Sequence, residues 1–430
     1  MKILIKNGRV INPADGLDKV MDILTEGDRV KEVSENINAE ADRVIDAKGL
    51  WIMPGFIDLH VHLREPGFEY KETIATGSRA AAAGGYTTIC CMPNTKPVTD
   101  CVEIVKYIKE KAQKEAVVNV LPVGAITRGQ EGTELADIEG MAEAGICAVS
   151  EDGKSVMNAE LLKEAMLIAK RLNIPVLSHC EDKTLVKGGC MNEGKHCENL
   201  GLNGISNDSE DVIVGRDIIL AQSTGARLHL CHMSTKGSIQ LLKEAHLRGV
   251  KVTGEITPHH FTLSDEAVDG KDTNTKMNPP LRSKDDVEAM RKAFKDGIAE
   301  VIATDHAPHS EEEKNKDYKS APFGIVGSET AFALSNSVLV EEGYLSPLAL
   351  AEKMSLNPAR ILGIEKGDIS AGNIADIAIV DPERVYKIDS SKFFSKGKNT
   401  PFDSYEVKGS VEYTIAGGKI VFEKGKINDN

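Results

Sequence analysis

Short apolar runs alternate with amphipathic stretches through most of the chain. Eight runs from residue 51 onward are rich in β-branched residues and end in polar ones: WIMPGFIDLHVH, GYTTICCMPN, VVNVLPVGAI, GICAVSED, IPVLSHCED, ARLHLCHMS, VKVTGEITPHH and EVIATDHAPH. Helical stretches such as CVEIVKYIKEKAQKE and NAELLKEAMLIAKRL lie between them. Continuously apolar strands that alternate with helices are typical of a parallel sheet covered on both faces. Eight such units predict an α/β fold, a closed (β/α)8 TIM barrel.

The two ends of the chain follow a different pattern. Both contain short alternating strands separated by Asn-Gly, Asp-Gly or Gly-Gly turns, which are typical of hairpins. We therefore expect residues 1–50 and 366–430 to form one small β-sandwich domain, built from both termini. Residues 51–365 then form the barrel.

The charge of the chain narrows the class of ligand. The formal net charge is −14, whereas nucleic acids and anionic membranes require a basic surface. No apolar stretch reaches about 18 residues, and the first residues alternate like a strand, unlike a signal peptide. The sequence predicts a cytoplasmic protein that acts on a small molecule and binds neither nucleic acid nor membrane.

The cysteines carry no metal or redox signature. None of the eight forms a CxxC pair, and several lie in apolar strand-like runs, so we interpret them as reduced core thiols. Cys180 and Cys231 each adjoin a histidine of interest. Because adjacent residues of a strand point to opposite faces, we expect both thiols to lie behind any site that the histidines form.

Polar residues with metal-ligand chemistry stand at the ends of the predicted strands, where barrels place reactive groups. They are His60 and His62 on the first strand, Glu151 and Asp152 on the fourth, His179 on the fifth, His232 on the sixth, His259 and His260 on the seventh, and Asp305 and His306 on the eighth. A single histidine at a strand end is usually structural, and we interpret His259 and His260 in that way. The coincidence of four histidines and two aspartates indicates a zinc site with nitrogen and oxygen ligands: His60, His62, Asp152, His179, His232 and Asp305.

Six ligands are too many for one tetrahedral zinc ion, but they suit two that share a carboxylate and a hydroxide. We assign His60, His62 and Asp305 to one Zn²⁺, His179 and His232 to the other, and Asp152 as the bridge. Two cations make hydroxide available near neutral pH and polarise a carbonyl group. Asp305 can also accept the proton and return it to a leaving nitrogen. The pattern predicts hydrolysis of an amide-like bond.

Several motifs carry a resemblance to a known family. The segments DLHVHLREPG, CMPNTKPV, SEDGKSV, SHCED, KMNPPLR, ATDHAPH and APFGIVG span residues 58–327. Together they resemble the type I dihydroorotases of bacteria, within the amidohydrolase superfamily. The resemblance implies reversible cyclisation of N-carbamoyl-L-aspartate to dihydroorotate with loss of water, in pyrimidine biosynthesis. A homodimer and a complex with aspartate transcarbamoylase are partners that it also implies.

Carried over position by position, the family's substrate contacts fall on His62, Arg64, Asn94, Asn278, His309 and the backbone of Phe323 and Gly324. An arginine offers a planar fork to the substrate carboxylate, with Asn94 and His309 as further donors. Strand alternation would keep Arg64 on the side of His62. The alternatives are a surface Arg64 paired with Glu65 or Glu69, and an Asn94 that serves only the turn.

Three further alternatives stay open from the sequence. Lys154 could replace Asp152 as the bridge if it were carboxylated, as in many relatives in the superfamily. The chain could be a hydantoinase, dihydropyrimidinase or allantoinase, but Arg64 and Asp152 count against these enzymes. It could also be a non-catalytic scaffold for aspartate transcarbamoylase, but the presence of all six metal ligands counts against that. Residues 309–320, HSEEEKNKDYKS, could be a solvated loop or a mobile cover over the barrel mouth.

Overall fold

The computed structural model describes residues 1–428. The chain begins with strands, most of which contain both buried and exposed residues. They are β1 (Lys2–Asn12), β2 (Leu17–Glu26), β3 (Arg29–Ser34), β4 (Arg43–Asp46) and β5 (Trp51–Pro54). Short turns join β1 to β2 and β2 to β3.

The central part of the chain forms the barrel. Its strands are β6 (Phe56–Val61), β7 (Tyr86–Cys91), β8 (Asn119–Ala125), β9 (Ala148–Ser150), β10 (Val176–Ser178), β11 (Met191–Asn192), β12 (Gly204–Ile205), β13 (Leu228–Leu230), β14 (Val252–Ile256) and β15 (Val301–Ile302). The short strands β11 and β12 pair with each other in a separate sheet. The other eight strands form the barrel sheet and run parallel in the order β6–β7–β8–β9–β10–β13–β14–β15. The His62 N–H closes the ring by donating to the His306 carbonyl at 2.8 Å. The eight predicted barrel strands are confirmed.

The C-terminal strands return to the N-terminal ones. They are β16 (Ile377–Lys387), β17 (Glu406–Ala416), β18 (Lys419–Glu423) and β19 (Lys426–Ile427). Hydrogen bonds join them to β1–β5 in one continuous mixed sheet of nine strands, in which β5 lies between β1 and β16. The prediction of a β domain built from both termini is confirmed, with a single hydrogen-bonded sheet instead of two separate ones.

The first predicted barrel strand is two strands. Trp51–Pro54 belongs to the terminal sheet, and only Phe56–Val61 belongs to the barrel. The chain passes between them at Gly55, where a Cβ atom would lie 2.4 Å from the side chain of Thr87. Only glycine fits at this position. The apolar run WIMPGFI is therefore continuous in sequence, but its first half is hydrogen-bonded in the terminal sheet and its second half in the barrel.

Helices follow most barrel strands and cover them. They are α1 (Ile74–Ala83), α2 (Val102–Glu115), α3 (Ile138–Ala144), α4 (Ala159–Leu172), α5 (Lys183–Val186), α6 (Lys195–Leu200), α7 (Asp208–Thr224), α8 (Lys236–Leu247), α9 (Pro258–Thr262), α10 (Lys284–Lys295), α11 (Glu311–Lys314), α12 (Ala331–Ser335), α13 (Pro347–Ala351) and α14 (Asn357–Leu362). Side-chain caps fix several starts; the Asn158 side chain, for example, accepts from the first backbone N–H groups of α4. Within residues 1–428, no helix combines the length and apolar character that crossing a membrane requires.

Candidate active site

The two histidines of the HxH motif face a pair of carboxylates inside the barrel mouth. His60 is the penultimate residue of β6 and is fully buried, while His62 lies just beyond the strand. His60 Nε2 is 3.2 Å from Asp152 Oδ1 and 3.5 Å from Asp305 Oδ1. His62 Nε2 is 3.1 Å from Asp305 Oδ1 and 3.5 Å from Asp152 Oδ2. Residues from the first, fourth and eighth strands therefore converge, as the sequence predicted.

Two further histidines approach Asp152 from its other side. Asp152 Oδ1 is 3.6 Å from His179 Nδ1 and 3.9 Å from His232 Nε2. These two ring nitrogens are 2.8 Å from each other. Asp152 lies between the pair His60–His62 and the pair His179–His232, and each of its two oxygens faces a different member of the first pair.

The donor set fits divalent metal ions. Clusters of three side chains bring possible metal-ligand atoms within 4.8 Å of one another. Two such clusters among residues 1–428 are His60–His62–Asp305 and His60–Asp152–His232. The His62 Nδ1–H donates to Asn94 at 2.9 Å, so Nε2 carries a lone pair and faces the Asp305 carboxylate. Two such acceptors are held together by a proton or a metal ion between them. His60 Nε2, although buried, makes no hydrogen bond.

The two central carboxyl groups are held ionised. Burial alone would raise the pKa of Asp152, but the charge of His60 and a hydrogen bond with His232 hold that pKa well below its usual range. Burial also opposes ionisation of Asp305, and His60 and His62 lower its pKa in the same way. Both side chains therefore present negative oxygens to the centre of the site.

Backbone strain occurs at two of the converging residues. His232 has φ 34° and Asp305 has φ 47°, both in the left-handed region that non-glycine residues seldom adopt. Such conformations persist where the surrounding structure forces them, and they are concentrated at functional sites. Each of these residues follows a barrel strand within a few positions. The His232 side chain approaches Asp152, and the Asp305 side chain approaches His60 and His62.

A carboxylate that the sequence analysis did not single out supports the histidines. Glu255, fully buried on β14, accepts from His60 Nδ1 at 2.9 Å and from the His232 backbone N–H at 3.2 Å. Its second oxygen accepts from His229 Nε2 at 2.9 Å. Burial opposes ionisation, but these hydrogen bonds lower the pKa of Glu255 to about 2. A carboxylate that fixes the ring of a metal-ligating histidine is common in metal sites.

One cysteine lies where the sequence did not expect it. Cys231 is not behind the site, because its sulfur clusters with His60 and Glu255 inside the barrel. The expectation of strand alternation fails here because β13 ends at Leu230 and the backbone then turns at His232. All eight cysteines are free thiols, as predicted.

Arg64 lies at the rim of the site, but not for the predicted reason. The strand ends at Val61 and Arg64 has φ 61°, so strand alternation does not set its direction. Its Nε donates to the Pro308 carbonyl at 3.2 Å, and Nη2 contacts His309 Nε2 at 3.3 Å. No carboxylate among residues 1–428 forms an ion pair with it, so the alternative of a surface pair with Glu65 or Glu69 is wrong.

The amide side chains of the two predicted asparagines make defined contacts in the mouth. Asn94 Nδ2 donates to Asp152 Oδ2 at 3.1 Å while its oxygen accepts from His62, so it is more than a turn residue. Asn278 Nδ2 donates to Glu181 Oε1 at 2.8 Å. The other Glu181 oxygen is 3.9 Å from His179 Nε2. Both asparagines thus adjoin the histidine–carboxylate cluster.

The remaining predicted contacts lie beside Arg64. His309 Nε2 donates to the Phe323 carbonyl at 2.8 Å. Burial, together with the charges of Arg64 and Lys71, lowers the pKa of His309, so its ring is neutral. The Gly324 N–H donates to the Lys276 carbonyl at 3.0 Å, which leaves this amide engaged within the protein.

Lys154 points away from the cluster. Its ammonium donates to the Gln130 carbonyl at 3.1 Å, and Gln130 Nε2 in turn donates to the Asp152 carbonyl at 3.2 Å. The side chain is therefore engaged outside the group of histidines.

The segment 309–320 is packed and partly helical. Lys314 is 6% exposed and donates to the carbonyls of Lys276, Pro322 and Gly324 at 3.4, 3.1 and 3.1 Å. The alternative of a solvated loop is therefore wrong for Lys314, but it is confirmed for the charged residues that are exposed: Glu311, Glu312, Lys316, Asp317 and Lys319. That the segment covers bound substrate remains a prediction.

The barrel, the terminal sheet and the buried histidine–aspartate cluster define an amidohydrolase. An L-hydantoinase (dihydropyrimidinase) from Arthrobacter aurescens has a similar solved structure, with a TM-score of 0.90 and 26% identity over 99% of this chain and 97% of that one. A dihydropyrimidinase from Brevibacillus agri gives a TM-score of 0.87 at 25% identity, over 99% and 96% of the two chains.

Sequence comparison narrows the class. Residues 49–238 match the family described as Dihydro-orotase-like. A dihydroorotase from Pelotomaculum thermopropionicum is 52% identical over 98% of this chain and 99% of that protein. Another, from Geobacter metallireducens, is 50% identical over 99% of this chain and 100% of that protein. The chain belongs to the dihydroorotase family, and its function is that of a dihydroorotase, a cyclic amide hydrolase.

Proposed function

We propose that the histidine–aspartate cluster holds two zinc ions and that the reaction takes place over them. His60, His62 and Asp305 would hold one ion, and His179 and His232 the other, with Asp152 shared between them. The lone-pair arrangement at His62 and the position of Asp152 between the two histidine pairs support this assignment. When bound, such ions lower the pKa of the attacking water and polarise the scissile carbonyl.

We assign the proton transfers to Asp305. In the hydrolytic direction its carboxylate accepts the proton of the attacking water and then delivers it to the leaving ring nitrogen. Cyclisation of N-carbamoyl-L-aspartate to dihydroorotate uses the same steps in reverse. The lowered pKa of Asp305, which follows from its contacts with His60 and His62, keeps the group ionised before the reaction. Its backbone strain favours one fixed direction for the carboxylate.

The observation that carries the substrate assignment is the unpaired guanidinium of Arg64. Among the residues described, no carboxylate forms an ion pair with it, although desolvation opposes a buried charge. We propose that the substrate carboxylate is its partner, because an arginine fork binds a carboxylate through two hydrogen bonds. His62, Asn94 and His309 would add polar contacts. Asn278 and the Phe323–Gly324 backbone would bind the ring amide groups, through groups other than the Gly324 N–H, which donates to the Lys276 carbonyl.

The bridge can be tested with two variants that lie two positions apart on the same loop. Asp152→Ala is expected to lose bound zinc and activity together, because it removes the group shared by both histidine pairs. Lys154→Ala is the matched control and is expected to keep both, since its ammonium bonds to the Gln130 carbonyl. The measurement is zinc content per chain beside turnover of dihydroorotate. Loss of zinc in Lys154→Ala, with rescue by a short-chain carboxylic acid, would assign the bridge to a carboxylated lysine instead.

The resemblance supports three further proposals about the setting of the enzyme. We propose that it works in the cytoplasm, as a homodimer, and that it forms a complex with aspartate transcarbamoylase. Light scattering of the purified chain, alone and mixed with the transcarbamoylase, tests the two assemblies.

A further inference from the structure

A segment of the terminal domain reaches the mouth of the barrel. Residues 393–402, here called the mouth segment, lie between a short 3-10 turn (Ser390–Lys392) and β17. The segment packs closely on the chain that follows the eighth barrel strand, because a Cβ atom at Gly397 would lie 2.7 Å from Pro308 Cβ. Ser395 adds a second anchor, since its hydroxyl donates to the buried carboxylate of Glu72.

Asn399 of the mouth segment joins two loops of the barrel through its side chain. It is only 5% exposed. Its oxygen accepts from the His309 backbone N–H at 3.0 Å. Its Nδ2 donates to the Ala307 carbonyl at 3.1 Å and to the Gly324 carbonyl at 3.0 Å. One amide group therefore satisfies three backbone groups from two separate stretches of the barrel.

Two of the three backbone groups that Asn399 holds belong to residues proposed to contact the substrate, His309 and Gly324. Gly324 has φ 124°, and a Cβ atom there would lie 2.8 Å from Ala307 Cβ and 3.2 Å from His309 Nε2. The two loops are thus in close contact, and a small shift of one displaces the other. Arg64 also depends on this arrangement, because its Nε donates to the carbonyl of Pro308, between Ala307 and His309.

We infer that Asn399 is a positioning residue, by which the terminal domain sets substrate affinity without touching the substrate. The side chain fixes the spacing between the 307–309 and 323–324 stretches, and so the direction of the His309 ring. This inference rests on the substrate contacts proposed for His309 and Gly324. It gives the terminal sheet a part in the active site that the barrel alone does not supply.

Substitutions at Asn399 should separate affinity from turnover. Asn399→Ala removes all three hydrogen bonds, and Asn399→Asp places a second oxygen against two carbonyl oxygens. We expect each variant to raise the KM for dihydroorotate roughly 5- to 30-fold, the effect of one or two lost hydrogen bonds to buried groups. The kcat should fall less than KM rises. Zinc content should stay unchanged, because Asn399 contacts none of the proposed ligands.

Asn336 provides a matched control far from the substrate contacts. Its buried amide also bridges two backbone carbonyls, those of Pro382 and Lys408, at 3.0 and 2.9 Å. Asn336→Asp should lower the thermal midpoint while KM stays within about twofold of wild type. Gly397→Ala is a second probe, because its methyl group would lie 2.7 Å from Pro308 Cβ and 2.8 Å from Asn399 Oδ1. It should therefore displace the Asn399 amide without removing it, and raise KM even if Asn399→Ala folds poorly.

The outcomes distinguish this inference from the function on which it rests. His309→Ala tests the substrate contact directly. A higher KM in His309→Ala with an unchanged KM in both Asn399→Asp and Gly397→Ala would overturn the role of Asn399 alone. An unchanged KM in His309→Ala would overturn the proposed contact and the inference with it. Equal KM increases in Asn399→Asp and Asn336→Asp would mean that the effect is general destabilisation, and would also overturn the inference.

Discussion

Replacing Asp305 with Asn is expected to lower turnover of dihydroorotate by roughly 10²- to 10⁴-fold, the loss that follows removal of a positioned general base. The asparagine keeps an oxygen of similar position but cannot accept the proton of the attacking water. Asp305 Oδ1 lies 3.1 Å from His62 Nε2, at the centre of the site. The substitution should therefore remove the negative charge there while the shape of the site stays the same. Steady-state kinetics with dihydroorotate give the measurement.

Zinc content decides how an inactive Asp305→Asn enzyme is interpreted. The variant should retain most of its zinc, because the other proposed ligands are unchanged. Loss of activity with retained zinc assigns the proton transfer to Asp305, whereas parallel loss of both assigns it a ligand role alone. Near-normal turnover would contradict the proton-transfer assignment outright.

The second large effect is expected at Arg64. Arg64→Met should keep zinc and fold but lose roughly 2 to 5 kcal/mol of transition-state stabilisation, as when one partner of a buried charge pair is removed. Arg64→Lys should recover only part of the loss, because a point charge cannot reproduce the two parallel hydrogen bonds of a guanidinium. The measured quantity is kcat/KM for dihydroorotate.

A neighbouring cation provides the control for charge alone. Lys71 approaches the same histidine, with its ammonium 3.4 Å from His309 Nδ1, but it is already paired with Glu313 at 2.9 Å. Lys71→Met should therefore cost about 1 kcal/mol or less, in the range of partly exposed ion pairs. Equal losses of kcat/KM in Lys71→Met and Arg64→Met would mean that the two cations only attract anions in general. That result would contradict specific binding of the substrate carboxylate by the Arg64 guanidinium.

The sequence was sufficient to predict the parts of the fold that depend on local pattern. Each barrel strand is an apolar run followed by polar residues, and the parallel strands of a barrel bring their carboxyl ends together. That geometry alone brings His60, Asp152 and Asp305 to one place, although they are far apart in the chain. The motifs then indicated the family, which the relatives confirm.

The features that the sequence did not predict depend on contacts between distant elements or on backbone geometry. Glu255 carries one signal in sequence, since a carboxylate inside an apolar strand requires a buried partner, but nothing local identifies His60 as that partner. Lys314 and Asn399 occur in polar stretches that are typical of exposed loops. Both are buried by contacts with residues distant in sequence, which the local pattern does not indicate. Strand alternation failed at Cys231 and Arg64 because both lie beyond a strand end, next to or at a positive φ.

The central proposal is a metal-dependent site that selects a ring bearing a carboxylate. The most direct test measures interconversion of dihydroorotate and N-carbamoyl-L-aspartate, and hydrolysis of dihydrouracil, by the purified chain before and after zinc is removed and restored. We expect activity on dihydroorotate that is lost with zinc and returns with it, and little activity on dihydrouracil, which lacks the carboxylate. Comparable rates on the two rings, or full activity without zinc, would contradict the account.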